Sequence, residues 1–191
     1  MKHFLEIEYK SLLNEEEYKK LKEQFSAFSS VVQINTYFDT EDRSLYNQNI
    51  SLRIRQISDE FILTIKHPSG EHVQEFNAVL SDNKLSTLIH HPLIEKYIFP
   101  HISREIAILG ALTTFRVTIP YRQGILCLDQ NDYLNQTDYE IEYELSEGYN
   151  NDYEGFQLFL YQHGIDEKKA KGKFFRFIQA LDNDNEYVCL P

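Results

Sequence analysis

Three alternating runs carry the residue types that phosphate and metal chemistry requires: Glu6-Ile7-Glu8-Tyr9-Lys10, Leu52-Arg53-Ile54-Arg55 and Asp138-Tyr139-Glu140-Ile141-Glu142-Tyr143-Glu144. In an extended chain successive side chains point to opposite faces, so each run sets a charged row against an apolar one. A merely solvated face would mix Lys, Glu, Thr and Ser on every strand. Here the signs segregate, with acids at 6 and 8, arginines at 53 and 55, and acids again at 140, 142 and 144. Arginine holds phosphate oxygens with a planar fork and lysine as a point charge. Carboxylates hold a hard cation such as Mg2+ or Mn2+, which bridges phosphate oxygens. Carboxylates alone would repel a polyanion; with metal between them the repulsion becomes a clamp.

The elements that must position these rows follow from periodicity. An opening strand is expected over residues 3–10, stopping near Asn14, a plausible helix N-cap. Residues 15–25 place Tyr18, Leu21, Lys22 and Phe25 at helical spacing, with acids early and lysines later as a helix dipole prefers. Further strands are expected at 31–40, 51–57, 61–66, 71–80, 111–121, 125–129 and 138–145, with turns at Ser58-Asp59, Pro68-Ser69-Gly70 and Arg122-Gln123-Gly124. Residues 42–47 read as a turn or one helical turn, and 130–136 as a loop. Between 81 and 109, Leu85, Leu88 and Ile89 share a helical face, while Pro92 and Pro100 confine further helices to 93–99 and 102–109. Two C-terminal helices are expected at 153–163, stopped by Gly164, and at 167–181. The fold class is therefore α+β: about eight antiparallel strands closed into a barrel or tunnel, charged rows inward and helices packed on the apolar outside.

At 191 residues, 42% hydrophobic and 26% charged, the chain can bury a sizeable core and is expected to form one domain over 1–191. A net charge of -11 argues against general nucleic-acid or anionic-membrane binding, though it leaves room for a local cluster of arginines and lysines. With no signal h-region and no long apolar run, the sequence reads as soluble and cytoplasmic, as a monomer or a homodimer. Cys127 and Cys189 form no C-x-x-C pair and read as free thiols. His90 and His91 lack metal-site spacing such as H-E-x-x-H and read as surface histidines. No Ser, Cys or His nucleophile has a recognisable partner, which favours direct attack by water over a covalent intermediate.

The ordered set of motifs resembles the CYTH superfamily, the triphosphate tunnel metalloenzymes. The resemblance rests on E-x-E-x-K at 6–10, Tyr37-Phe38-Asp39-Thr40, L-R-I-R at 52–55, T-I-K at 64–66, T-x-R at 114–116, L-D at 128–129, E-I-E at 140–142 and K-x-x-R at 173–176. It implies a β-tunnel in which Lys10, Arg53, Arg55, Lys66, Arg116 and Lys173 contact a triphosphate and act in catalysis, with Arg176 as a further substrate contact. It implies that Glu6, Glu8, Asp129, Glu140 and Glu142 coordinate Mg2+ or Mn2+, with Glu75 a further candidate. Two alignments stay open: the metal pair is Glu140 with Glu142 or Glu142 with Glu144, and Lys171 stands beside Lys173 for the same role.

The activity so implied is metal-dependent hydrolysis of a triphosphate, inorganic triphosphate above thiamine or nucleoside triphosphates. The alternatives are a class IV-type adenylate cyclase and a non-catalytic module that binds polyphosphate or a phosphorylated ligand. The competing reading of single residues is structural: Arg53 and Arg55 as paired surface cations, Arg176 as a helix-surface ion pair, Glu144 as a solvated strand-end acid, Tyr37 and Phe38 as packing, and Asp39 as the cap of the following turn.

Overall fold

The structure, a computed structural model, describes residues 2–70 and 72–188, with side chains described at 7–70 and 73–183. In chain order the elements are β1 (Lys2–Glu6), β2 (Glu8–Leu13), α1 (Glu15–Gln24), β3 (Ser30–Thr40), α2 (Ser44–Asn47), β4 (Ser51–Ile57), β5 (Glu60–Ser69) and β6 (His72–Leu80). Then come α3 (Leu85–Ile89), α4 (Pro92–Tyr97), the 3-10 turn η1 (Phe99–His101), β7 (Ile106–Tyr121), β8 (Gly124–Tyr133), β9 (Gln136–Leu145), α5 (Tyr153–Gln162) and α6 (Lys173–Val188). The class is α+β with antiparallel strands, as the alternations predict. The expected first strand is interrupted at Ile7, so β1 and β2 count as two.

The chain divides into two compact units: residues 1–6 with 33–112, and residues 7–32 with 113–191. In the first unit the strands run in the order β1-β6-β5-β4-β3, every described pair antiparallel. One face of this sheet is apolar and packs under the short helices. Leu52 and Ile54 of β4, Leu63 and Ile65 of β5 and Phe76 of β6 bury against Leu88 of α3, Leu93 and Ile94 of α4, and Ile98. Pro92 at the first position of α4 removes a donor that would be unsatisfied there in any case.

In the second unit the order is β7-β8-β9-β2, again antiparallel in each described pair. Its apolar face sets Val117, Ile119, Leu126, Leu128, Ile141 and Tyr143 against Tyr18 and Leu21 of α1 and Phe156, Phe159 and Leu160 of α5. The expected cap is present: the Asn14 side chain accepts from Glu17 N at 2.8 Å, while the Glu17 carboxylate accepts from Asn14 N at 2.7 Å. Each unit thus buries one sheet face under its own helices and leaves the opposite face to polar side chains.

Expected boundaries differ most at three places. Residues 102–109 were expected to be helical, but β7 begins at Ile106 and the strand runs unbroken to Tyr121. β8 runs on to Tyr133 because Leu134 and Asn135, at φ 44 and 59, make a two-residue turn with both residues left-handed, the geometry that suits a tight hairpin. The last helix starts at Lys173 rather than 167, since the preceding segment lies along β2. There Leu12 N donates to Lys168 O at 3.0 Å and Lys168 N donates to Ser11 Oγ at 2.9 Å.

Candidate functional site

In the first unit the polar face is a cationic wall. The register places Tyr37, Arg53, Thr64 and Asn77 in one row across β3, β4, β5 and β6, and Ser51, Lys66 and Glu75 in a second. Arg55 Nε donates to Asn35 Oδ1 at 3.0 Å, Thr64 Oγ1 to Asn77 Oδ1 at 2.8 Å, and Asn77 Nδ2 to Glu75 Oε1 at 2.6 Å. Lys66 pairs with Glu75 at 3.4 Å. Burial by itself would raise the Glu75 carboxyl, but Lys66 and Arg53, aided by Asn77 and Arg55, hold it below the ordinary carboxylate value. Three cations therefore surround one carboxylate. Arg53 is 8% exposed and its Nε is buried with no hydrogen-bond partner. A buried guanidinium N–H without an acceptor carries a desolvation cost that a bound anion would offset.

In the second unit the polar face is a carboxylate wall threaded by four cations. The register sets Arg116 opposite Asp129 and Asp129 opposite Glu140, while on β2 Lys10 lies opposite Glu142 and Glu8 opposite Glu144. Arg116 forks onto Asp129, with Nε to Oδ1 at 2.9 Å and Nη2 to Oδ2 at 2.7 Å. It also reaches Glu142 at 2.6 Å and Glu144 at 2.9 Å. Lys173, from the start of α6, contacts Glu140 as well as Asp129 at 2.9 Å and Glu142 at 3.0 Å. Arg176, one turn on, pairs with Asp138 at 2.9 Å and Glu140 at 3.0 Å. Lys10 pairs with Glu8 at 2.5 Å and Glu142 at 3.1 Å.

The field is mutual. Burial by itself lowers Lys10, yet Glu142 and Glu8 hold it well above the ordinary lysine value. Lys173 is raised against burial by Asp129, Glu140 and Glu142, and Asp129 is lowered against burial by Arg116 and Lys173. Lys10, Asp129 and Lys173 are thus held in their charged forms by their neighbours. Six carboxylates (Glu8, Asp129, Asp138, Glu140, Glu142, Glu144) face the four cations, so negative charge is in excess. Glu8, Glu142 and Glu144 each offer an oxygen, and these oxygens lie within 4.8 Å of one another. Three hard oxygen donors with surplus charge fit an ion of the Mg2+ or Mn2+ class.

The structure therefore gathers Lys10, Glu8, Arg116, Asp129, Glu140, Glu142, Lys173 and Arg176 on one face of the second unit, and Arg53, Arg55, Lys66 and Glu75 on one face of the first. The Glu6 side chain and Cys189 lie outside the described residues; Cys127 is a buried free thiol. Asp39 serves as a cap: it is buried and accepts from the N–H groups of Thr40, Leu45 and Tyr46 at 2.7 to 2.9 Å. His91 also caps, its Nδ1 accepting from Leu93 N at 3.2 Å. Sequence reasoning passed over Asp138, which shares the parity of the three glutamates, and the amides Asn35, Asn77 and Asn131, whose parity with charged neighbours was their only signal. Asn131 donates to Asp138 at 2.9 Å and to Glu140 at 3.0 Å.

Comparison with known proteins extends this picture. YjbK of Bacillus subtilis (strain 168), named as a candidate triphosphatase, is 29% identical over 187 residues, covering 94% of this chain and 97% of YjbK. A crystal structure of a candidate adenylate cyclase from Bacillus halodurans matches with a TM-score of 0.83 at 33% identity, covering 93% of this chain and 99% of that one. The Hippeastrum protein HpAC1, a candidate adenylyl cyclase reported with a dominant triphosphatase activity, matches with a TM-score of 0.69 at 22% identity, over 92% of this chain and 95% of its own. At that identity the likeness bears on fold alone. The CYTH domain pattern itself matches residues 5–175, from the residue before the opening charged run to the first turn of α6, and the chain accordingly belongs to the CYTH domain family.

Proposed function

We propose that this protein is a metal-dependent triphosphatase that hydrolyses the terminal phosphoanhydride bond of a small triphosphate, with inorganic triphosphate favoured. The observation that carries the proposal is the cationic wall with Arg53 at its centre, a buried guanidinium whose Nε lacks an acceptor. Family membership and the resemblance to YjbK support the same class of activity. In this reading Arg53, Arg55 and Lys66 hold phosphate oxygens. Arg53 contributes a planar donor set whose desolvation cost has already been met in folding. Lys10, Arg116 and Lys173 supply positive charge toward the transferring phosphoryl group, where a loose transition state spreads charge over its equatorial oxygens.

Glu8, Glu142 and Glu144 would hold the divalent ion. An ion held there would supply positive charge against the phosphate oxygens. Asp129 and Glu140 serve chiefly to fix Arg116, Lys173 and Arg176. Attack by water breaks the bond between the terminal phosphorus and its bridging oxygen and releases orthophosphate and the shortened phosphate chain.

The test is phosphate release from inorganic triphosphate, thiamine triphosphate and nucleoside triphosphates with Mg2+ or Mn2+. Turnover of none of them defeats the proposal. Metal-dependent triphosphate binding without product would identify a binding module instead. The name of the Bacillus halodurans relative favours one second reading, adenylate cyclisation, in which the ribose 3′-hydroxyl replaces water. Cyclic AMP with pyrophosphate, in place of orthophosphate, would establish it.

A further inference from the structure

Two histidines that the charged walls do not involve meet in the first unit. His67, near the end of β5, and His101, the last residue of η1, are both half-buried, and their Nε2 atoms lie 3.1 Å apart. Their other ring nitrogens fix both tautomers. His67 Nδ1 lies 2.9 Å from the Pro68 carbonyl oxygen, which can only accept, so His67 carries its proton on Nδ1. His101 Nδ1 lies 3.0 Å from Gln48 Oε1. The Gln48 amide is oriented independently, because its Nε2 donates to the carbonyl oxygens of Ser44 and His101, each at 2.8 Å. Its Oε1 is therefore the atom facing His101, and His101 too carries its proton on Nδ1.

With both Nδ1 atoms protonated, two Nε2 lone pairs point at one another across 3.1 Å, an arrangement stable only with a cation between them. We propose that His67 and His101 chelate a transition-metal ion of the imidazole-preferring class, Zn2+ being the model. An ion about 2.0–2.1 Å from each nitrogen would subtend an angle of about 100° over this separation, close to the tetrahedral value. Both rings already donate Nδ1–H to oxygen acceptors, the outer arrangement that orients metal-bound histidine and raises its basicity. A shared proton is the rival cation. The pair differs from the carboxylate cluster in preference: nitrogen donors suit Zn2+, Ni2+ or Cu2+, while hard oxygen donors suit Mg2+ or Mn2+. Its occupation would tie the β5 end to η1 and to the turn after α2.

The test is calorimetric titration of metal-free protein with Zn2+ near pH 7.5, in excess Mg2+ to fill the carboxylate cluster. The expected result is one tight equivalent whose Kd rises at least about tenfold in His67→Ala and in His101→Ala, and about tenfold in Gln48→Ala, with unchanged circular dichroism. In the wild-type protein, imidazole 15N spectra should show the two Nε2 signals moving on Zn2+ addition while both Nδ1 atoms stay protonated, a readout that needs no variant to fold. Zn2+ uptake unchanged in both histidine variants, or no Zn2+ uptake with one proton shared between the two rings, would overturn the assignment.

Discussion

At the scale of the residue, three glutamates on one strand face do three different things. Glu140 is fully buried and taken up by Lys173, Arg176 and Asn131. Glu142 is shared among Lys10, Arg116 and Lys173. Glu144 accepts one arm of Arg116 and stands with Glu8 and Glu142. Glu144→Gln should raise the Mg2+ concentration for half-maximal phosphate release at least about tenfold, since it removes one charged oxygen donor. Glu140→Gln should instead lower the denaturant midpoint with a smaller change in metal dependence, because it leaves the buried Lys173 and the half-buried Arg176 undercompensated. Equal metal titrations for the two variants would move the ion away from Glu144. Arg53→Ala should lower kcat/KM for triphosphate about a hundredfold while the circular dichroism spectrum stays native; an unchanged kcat/KM would remove the cationic wall from the mechanism.

At the scale of the element, caps decide where the short helices stand. α2 is only four residues long, and the buried Asp39 carboxylate gathers the N–H groups of Leu45 and Tyr46 that the helix cannot satisfy itself. Asp39→Ala should cost about 2 kcal/mol in urea unfolding, the upper end for a cap, because the orphaned donors are buried. The cap of α4 is sensitive to pH. Burial lowers the His91 imidazole below its ordinary value of 6.5, and the neutral Nδ1 accepts from Leu93 N. The unfolded chain therefore binds the proton first. The cap's contribution is complete above the ordinary value and is lost as pH falls below it through the folded value. Wild-type protein should lose about 0.5–1 kcal/mol of unfolding free energy between about pH 7.5 and 5 that His91→Asn, whose amide caps without titrating, does not lose. Identical pH dependence of the two proteins would show that the cap does not titrate.

At the scale of the whole molecule, the dominant fact is charge sorted by sign: three cations around Glu75 in one unit, and six carboxylates around four cations in the other. On the proposed function, the surplus acid of the second unit is the place for a divalent cation. Saturating Mg2+ or Mn2+ should therefore raise the thermal midpoint, by the equivalent of about 2.7 kcal/mol at a hundred times Kd, and EDTA should reverse the shift. Calorimetry that finds the same midpoint with metal and with EDTA would exclude a metal site on this wall. Among the described residues no helix is long and apolar enough to cross a membrane.

Much of this was legible in the sequence, because a strand has a period of two and a one-residue error would exchange the faces. The parity of Arg53 and Arg55 against Leu52 and Ile54, and of Glu140, Glu142 and Glu144 against Ile141 and Tyr143, fixed which residues could share a polar face. Asn14 followed by Glu17 marked the start of α1, since a cap is a local device. Parity, however, could not choose among three glutamates of equal parity. That choice depends on register across strands distant in sequence: Glu8 meets Glu144 and Lys10 meets Glu142, whereas the residue opposite Glu140 on β2 is Leu12. Nor could the sequence show that α6 begins at Lys173, which brings that lysine and Arg176 onto Glu140. The same holds for His67 and His101, neither of which stands in a recognisable motif. Chemistry and face were set by residue type and local periodicity; partnership was set only when the tertiary fold closed long loops and brought distant charges within hydrogen-bonding range.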